Sequence, residues 1–198
     1  MDTAETIALI IGSSIAMIIG GRAIMKKSPE KNERGEIIAP PSLDWLDIRM
    51  EPKSLSLSDA GLDLIKRFEG RRLSPYQDSA GYWTIGYGHL IQEGENLMRD
   101  ITASEAESIL RDDVARFVRC VRDAVTVEVT QSQFDALVSF AFNVGCGAFR
   151  DSTMLRLLNG GSYIEAANEF PRWNKAGGEI LTGLARRRDA EQTLFMAA

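Results

Sequence analysis

The chain has 198 residues, of which 44% are hydrophobic, enough to bury one domain with an appendage. Its net charge is −5, and neither the first 56 residues nor the remainder carries more Lys and Arg than Asp and Glu. Because nucleic-acid-binding proteins need a basic surface, this balance argues against a nucleic-acid partner.

An apolar run without any charge covers residues 6–21. As a helix it would span roughly 24 Å of the about 30 Å hydrocarbon core, and extension to Met25 suffices if Arg22 reaches the interface. We therefore predict a membrane-anchor helix over residues 1–25, in contact with the bilayer through residues 6–25. The basic residues follow the run, which disfavours a cleaved signal peptide and predicts a cytoplasmic location for the rest of the chain. A buried helix is the remaining alternative.

Residues 26–56 read as a linker, because they are charged and contain four prolines that disfavour helix in the residues before them. One apolar patch interrupts this segment and consists of Leu43, Trp45, Leu46 and Ile48. The patch either docks on the following domain or is part of a plain spacer.

The globular domain is predicted over residues 57–198. Ser58 is a plausible N-cap for a short helix whose apolar residues share one face, and Gly70 is a typical stop that leaves Glu69 on the last turn. The following stretch, residues 73–88, is rich in Tyr, Trp, Gly and Thr and contains turn-forming dipeptides. This composition predicts a small antiparallel sheet.

After His89 the patterns are helical. Capping boxes at Thr102 and Thr130 open two helices, the first running to about residue 123 and the second stopping at Gly145. Shorter helices are predicted over residues 153–158, 163–170 and 184–196. One helix, a small sheet and then a helical region predict an α+β fold with a cleft between sheet and helices.

Cysteine and histidine are too few for a metal centre. Zinc sites need three or four ligands, whereas this chain has Cys120, Cys146 and a single histidine, His89. We therefore predict no metal and no cofactor. The cysteines are interpreted as two small apolar thiols on helices, although a disulfide stays open.

Two carboxyl groups are the candidate catalytic residues. Glycoside hydrolysis needs one protonated and one ionised carboxyl on opposite sides of the scissile bond. Glu69 follows Phe68 at an apolar helix end, where partial burial would keep a proton available, whereas Asp78 lies in a polar turn. Thr84, on the return strand, offers a hydroxyl that could fix a water beside Asp78.

Several stretches resemble the phage-type lysozymes, glycoside hydrolase family 24. The family pattern is Glu, eight residues, Asp or Cys, five residues, Thr, and Glu69, Asp78 and Thr84 match it. Further similarity lies in FEG at residues 68–70, GYWTIGYGH at 81–89, QFDALVSFAFNVGCGAF at 133–149 and WNKAGGEILTGLARRRDAE at 173–191. The resemblance extends over about residues 58–195.

The resemblance implies a two-lobed fold and cleavage of the β-1,4 bond between N-acetylmuramic acid and N-acetylglucosamine. Glu69 would be the general acid, and Asp78 with Thr84 would position or activate the attacking water. We expect the two carboxyls to lie about 6.5–9.5 Å apart, a separation that leads to inversion at the anomeric carbon.

Other residues are assigned by the same resemblance. His89 matches a structural position. One residue of the Arg186–Arg188 run is expected near Glu69, and we favour Arg187. Phe142, Asn143 and Thr153 fall where family members line the sugar cleft, although Phe142 could equally belong to the core.

Alternatives to a lysozyme are a lytic transglycosylase, which needs only Glu69, and a non-catalytic wall-binding module. The predicted partner is bacterial peptidoglycan, with a holin as a further candidate, and we expect a monomer. An N-terminal anchor on such an enzyme resembles a signal-anchor-release endolysin acting in the periplasm from the inner membrane, although here the basic residues follow the apolar run. A lysozyme used at entry from a virion membrane is the other setting.

Overall fold

The computed structural model describes residues 49–197, together with the backbone of three short strands near the N-terminus. The chain divides into two units at Asp47 and Ile48. The strands β1 (Ile7–Ile11), β2 (Ser14–Ile19) and β3 (Arg22–Met25) pair antiparallel in that order.

These strands lie within the segment for which we predicted an apolar helix, and that helix stays a prediction. Isoleucine favours extended backbone, and the dipeptides between the strands, Gly12-Ser13 and Gly20-Gly21, are turn formers. None of the helices that the structure describes is both long and apolar enough to cross a bilayer. The anchoring role of residues 6–25 stays a prediction.

The second unit begins with part of the predicted linker. Met50 and Val129 exchange two backbone hydrogen bonds of 2.8 and 3.0 Å, and a 3-10 turn follows at Pro52–Ser54. Leu55 is 2% exposed, and its carbonyl accepts a hydrogen bond from Arg122. Residues 49–56 therefore lie on the domain, whereas the apolar patch at residues 43–48 lies outside the described residues.

Seven helices of the second unit are described: α1 (Asp59–Glu69), α2 (Ala103–Ala124), α3 (Gln131–Val144), α4 (Cys146–Arg150), α5 (Thr153–Asn159), α6 (Tyr163–Ala167) and α7 (Thr182–Met196). A 3-10 turn at Phe170–Trp173 ends the stretch that we predicted as one helix over residues 163–170. The predicted capping boxes at Thr102 and Thr130 are both present, as is the Ser58 cap. Local capping chemistry therefore located the main helices correctly.

A small antiparallel sheet follows α1 and consists of β4 (Arg72–Gln77), β5 (Trp83–Gly86) and β6 (His89–Leu90). Tyr76 pairs with Thr84, and the register shifts between Arg72 and Tyr76, a stretch that contains Pro75. Proline lacks the N–H that a continuous ladder requires, which explains an irregularity there. A further hairpin, β7 (Lys175–Ala176) and β8 (Glu179–Ile180), was not predicted.

The core is organised around α3, which is buried continuously from Gln133 to Ala141 and packs against α1, α2 and α7. Its Phe140 makes edge-to-face contacts with Phe149, Phe170 and Trp173 at centroid distances of 6.3, 5.4 and 5.3 Å. Such pairs contribute beyond the area they bury. The predicted α+β class with a small antiparallel sheet is confirmed.

The two cysteines are free thiols. Cys120 is buried on α2 and Cys146 is partly buried at the start of α4. Burial, together with the neighbouring Cys146, raises the pKa of Cys120 to about 12. This agrees with the interpretation of both residues as packing side chains.

Candidate active site

Glu69 is the last residue of α1, and its side chain is 24% exposed. Gly70 ends the helix with φ of +70°, a backbone conformation that glycine adopts without steric cost. The helix start is fixed by α3, because Asp135 accepts hydrogen bonds from both the backbone N–H and the hydroxyl of Ser58. Both ends of α1 are thus defined, and Glu69 is held at a partly open position.

Arg187 of α7 is the partner of Glu69. Its Nη1 lies 2.5 Å from Glu69 Oε1, and its guanidinium lies 5.7 Å from the centroid of the Phe68 ring. The prediction that one of the three consecutive arginines reaches Glu69 is confirmed for Arg187, which is only 4% exposed. Its neighbour Arg186 is exposed.

Behind Arg187 lies a buried polar cluster that sequence reasoning missed. Glu191 is fully buried, and its Oε1 accepts hydrogen bonds from Ser139 Oγ at 2.8 Å and from Arg187 Nε and Arg188 Nη2, both at 3.1 Å. Arg188 also donates to Asn143 Oδ1 at 2.9 Å. The sequence spacing could have indicated this cluster, because Glu191 follows the two arginines by four and three residues and therefore lies on the same helix face.

Burial dominates the electrostatics of this cluster. It raises the pKa of Glu191 against the opposing effect of the two guanidinium groups, and it lowers the pKa of Arg188 to about 10. Arg188 Nε lies 2.9 Å from Glu191 Oε2, but the angles do not satisfy a hydrogen bond. We treat this contact as an ion pair, because charge attraction depends mainly on distance.

Asp78 directly follows β4 and is half-buried at the start of an exposed turn. Its Oδ1 accepts hydrogen bonds from the backbone N–H groups of Ala80 and Tyr82, each at 2.9 Å. Gly81 supports the turn with φ of +86°. The side chain is therefore oriented by the main chain of the four residues that follow it.

Thr84 is connected to Asp78 through one carbonyl. The oxygen of Tyr82 accepts a hydrogen bond from the Asp78 N–H at 2.9 Å and from the Thr84 hydroxyl at 3.2 Å. Thr84 is 3% exposed, whereas Tyr82 and Trp83 beside it are 64% and 45% exposed. The hairpin thus joins the two predicted residues and presents two aromatic rings that our sequence reasoning did not nominate.

The arrangement offers two carboxyl groups in different surroundings, one against a buried guanidinium and one in a solvent-facing turn. The comparison that decides the family is a match of residues 66–191 to the model described as "Phage lysozyme". The chain belongs to the phage lysozyme family. Glu69, Asp78 and Thr84 all lie within the matched range.

Individual relatives support the same family. The endolysin of Bacillus phage B103 is 50% identical over 144 residues, which cover 72% of this chain and 54% of that protein. A protein named "SAR-endolysin" from Bacteriophage PS119 is 38% identical over 130 residues, covering 65% of this chain and 76% of that one. The chain thus spans about half the length of the B103 endolysin and of the similar endolysin from Bacillus phage PZA.

Among solved structures, the muramidase domain of SpmX from Asticaccaulis excentricus is similar to this chain. The two are 41% identical with a TM-score of 0.65, and the match covers 71% of this chain and 97% of that domain. The fold of the second unit is therefore that of a phage lysozyme.

The other residues predicted to line the sugar cleft have different surroundings. Phe142 packs edge-to-face on Phe117 at 5.2 Å and contacts the core, whereas Asn143 is exposed and bonded to Arg188. Thr153 is exposed at the start of α5. A sugar-binding role for these three residues and for Arg187 stays a prediction.

His89 has a set of contacts that fits the structural role expected of it. Its Nδ1 lies 3.0 Å from Asp113 of α2, and its Nε2 lies 3.0 Å from Glu95. Its side chain is 15% exposed. The ring therefore connects the sheet and the following loop to the longest helix.

Proposed function

We propose that this chain is a muramidase, which hydrolyses the β-1,4 bond between N-acetylmuramic acid and N-acetylglucosamine in bacterial peptidoglycan. The observation that carries the proposal is that Glu69, Asp78 and Thr84 stand in the expected order, on a helix end and a hairpin, in a chain of the phage lysozyme family. The relatives named endolysin and muramidase support the same substrate.

In the proposed reaction, Glu69 donates its proton to the glycosidic oxygen while the bond to the anomeric carbon breaks. Water adds to that carbon and transfers a proton to Asp78. Backbone donors hold Asp78 Oδ1, so Oδ2 is the oxygen that we assign to the water. The Thr84 hydroxyl and the Asp78 N–H donate to the same carbonyl oxygen, that of Tyr82, and the hydroxyl would help to position that water.

The stereochemical outcome follows from the carboxyl separation. We expect about 6.5–9.5 Å, which leaves room for water and leads to inversion. Proton NMR of a defined oligosaccharide immediately after cleavage distinguishes the two anomers. The retained anomer as first product would contradict the water-activating role of Asp78.

The central experiment incubates the full chain with purified peptidoglycan and identifies the new glycan ends by mass spectrometry. We expect reducing N-acetylmuramic acid ends, whereas 1,6-anhydro ends would show a lytic transglycosylase. Glu69→Gln should lower the rate by at least about 10²- to 10⁴-fold, because only the proton donor is removed. Its melting temperature should stay close to that of the unmodified chain.

A matched control is Glu165→Gln, since Glu165 is an exposed glutamate on the short helix α6. This variant should keep full activity. Substantial turnover by Glu69→Gln, measured beside this control, would show that the acid is another residue.

We also propose that residues 6–25 tether the enzyme to the inner membrane for action in the periplasm. The segment has no acidic residue and a single basic one, and the matched protein named "SAR-endolysin" supports this setting. An open three-stranded sheet leaves backbone groups unpaired in hydrocarbon, so the inserted segment would be helical. A phosphatase fused after Ser56 tests the orientation, because it is active only after export, and an inactive but intact fusion would exclude this version.

A further inference from the structure

We infer that Glu191 is a positioning residue for Glu69 and acts on it through Arg187. The inference rests on the proposed function, in which Glu69 is the general acid. Glu191 lies on α7 and is fully buried, with an exposed fraction of 0%.

A carboxylate at such a place is costly for the fold. Burying an ionised group is unfavourable unless charges and hydrogen bonds compensate, and apolar residues of similar size are often at least as stabilising as a buried ion pair. The position faces α3, a helix that is buried continuously from Gln133 to Ala141. Packing alone therefore does not explain why an acidic residue stands there.

The geometry of Arg187 supplies an explanation. Its Nε donates to Glu191 Oε1 at 3.1 Å, its Nη2 donates to the Ser139 carbonyl at 3.3 Å, and its Nη1 reaches Glu69 Oε1 at 2.5 Å. The guanidinium is planar and rigid, so fixing two of its nitrogens determines where the third one points. Glu191 and Ser139 therefore aim Arg187 at Glu69.

Ser139 contributes to both sides of this arrangement. Its hydroxyl donates to Glu191 at 2.8 Å while its carbonyl accepts from Arg187. It is fully buried on α3, so both contacts are shielded from water. One serine thereby fixes the carboxylate and the guanidinium relative to each other.

Charge adds to the positional effect. Two ionisable groups face Glu191, Arg187 and Arg188, and both belong to its own helix. Helix α3 contributes a neutral donor, the Ser139 hydroxyl. Arg187 in turn faces Glu69 of α1. Among residues 49–197, no other ionisable side chain pairs with Glu191. Removing the Glu191 charge leaves the positive charge of Arg187 facing Glu69 alone, which favours the ionised form of Glu69 and thus opposes proton donation.

The test compares Glu191→Gln with the unmodified full chain on purified peptidoglycan. We expect kcat to fall by about 10- to 100-fold with KM changed less than twofold, because misplacement of a catalytic group affects the chemical step. The basic limb of the kcat–pH profile should move to lower pH. Ser139→Ala should lower kcat in the same direction but by less, because the charge of Glu191 remains.

Glu169→Gln is the matched control. Glu169 is also a largely buried glutamate, and its Oε1 lies 3.3 Å from Nε of Arg172, three residues later. Its ion-pair partner is thus Arg172 and not Arg187. This variant should keep the kcat and the pH profile of the unmodified chain. A folded Glu191→Gln protein with unchanged kcat and pH profile would overturn the inference. If Glu191→Gln does not fold, an unchanged kcat in Ser139→Ala would overturn it instead.

A second readout separates this inference from the proposed function. Carbon-13 NMR of the Glu69 carboxyl follows its titration without any substrate. We expect the titration midpoint of Glu69 to be lower in Glu191→Gln than in the unmodified chain. A shifted midpoint in a chain that does not cleave peptidoglycan would refute the proposed function alone, whereas an unchanged midpoint in an active enzyme would refute the positioning role alone.

Discussion

Glu69 and Asp78 are both carboxyl groups at the ends of secondary-structure elements, but the structure holds them in different ways. Glu69 contacts a buried arginine whose own position depends on Ser139 and Glu191, which lie 70 and 122 positions further along the chain. Asp78 is oriented by two backbone N–H groups within the next four residues. One group therefore depends on tertiary packing and the other on the conformation of a single turn.

This difference predicts how substitutions separate activity from stability. Changes at the buried residues that support Glu69 should affect both activity and stability, since those residues belong to the core. Changes at the Asp78 turn should affect activity with little loss of stability.

The largest effect is expected for Asp78→Asn. Asparagine keeps an oxygen that can accept from Ala80 and Tyr82, but it lacks the charge needed to take a proton from water. We expect the rate on peptidoglycan to fall by about 10²- to 10⁴-fold with a nearly unchanged melting temperature. Asp151→Asn, at an exposed aspartate after α4, serves as the control and should keep full activity. Retained activity in Asp78→Asn would favour the transglycosylase instead.

Arg188→Met should produce the largest loss of stability. It removes a cation from a fully buried pair and leaves Glu191 only partly compensated, which costs about 3–5 kcal/mol. The neighbouring Arg186→Met removes the same charge from an exposed site and should change the free energy of unfolding by less than about 0.5 kcal/mol. Urea unfolding of both variants measures the difference, and equal stabilities would show that the buried cluster does not support the fold.

His89→Gln tests the connection between the sheet and α2. Burial lowers the pKa of His89, but the hydrogen bonds to Glu95 and Asp113 raise it by more, so its pKa lies above the ordinary 6.5. A raised pKa in the folded state means that the stabilisation is fully present below pH 6.5 and is lost as the pH rises through the folded value.

We therefore expect His89→Gln to be less stable by about 1–2 kcal/mol at pH 5.5, and by much less at pH 9. The effect is small because the side chains of Glu95 and Asp113 are 35% and 32% exposed, so water screens both ion pairs. Lys66→Gln, which removes a cation paired with Asp63 and Glu107, is the control. Its effect should be the same at both pH values, because lysine does not titrate between them.

Gly81→Ala in the Asp78 turn should have a stability effect no larger than that of His89→Gln. A Cβ at Gly81 meets no atom within 4 Å, so the cost comes from its φ of +86° and amounts to about 1–2 kcal/mol. Activity should fall together with the displaced Asp78. Gly147→Ala, also in open space but without a positive φ, should be neutral or slightly stabilising. Equal behaviour of the two variants would show that the turn does not depend on this backbone conformation.

Features that depend on neighbouring residues could be predicted from the sequence. The caps at Ser58, Thr102 and Thr130 are local, and each begins a helix where it was expected. The Glu69 and Asp78 positions on a helix end and a turn follow from the same local patterns, together with the family resemblance.

Features that depend on distant residues could not be predicted from the sequence. The contact of residues 49–56 with the domain requires Val129 and Arg122, and the support of Glu69 requires α3 and α7. The short helix α4 and the hairpin of β7 and β8 are too brief for periodicity to indicate them. At residues 7–25 the apolar composition favoured a helix, whereas isoleucine and the intervening turn formers also fit the short strands of the structure.

The attachment of Met50 and Leu55 has a mechanical consequence. A force applied to the chain ahead of Arg49 first meets the paired backbone bonds of Met50 with Val129, and then the bond from Arg122 to the Leu55 carbonyl. Both anchor points belong to the junction of α2 and α3 and come before the helix that carries Glu69. Tension from a tethered N-terminus would thus be absorbed at this junction, so the acid could keep its alignment while the enzyme works under load.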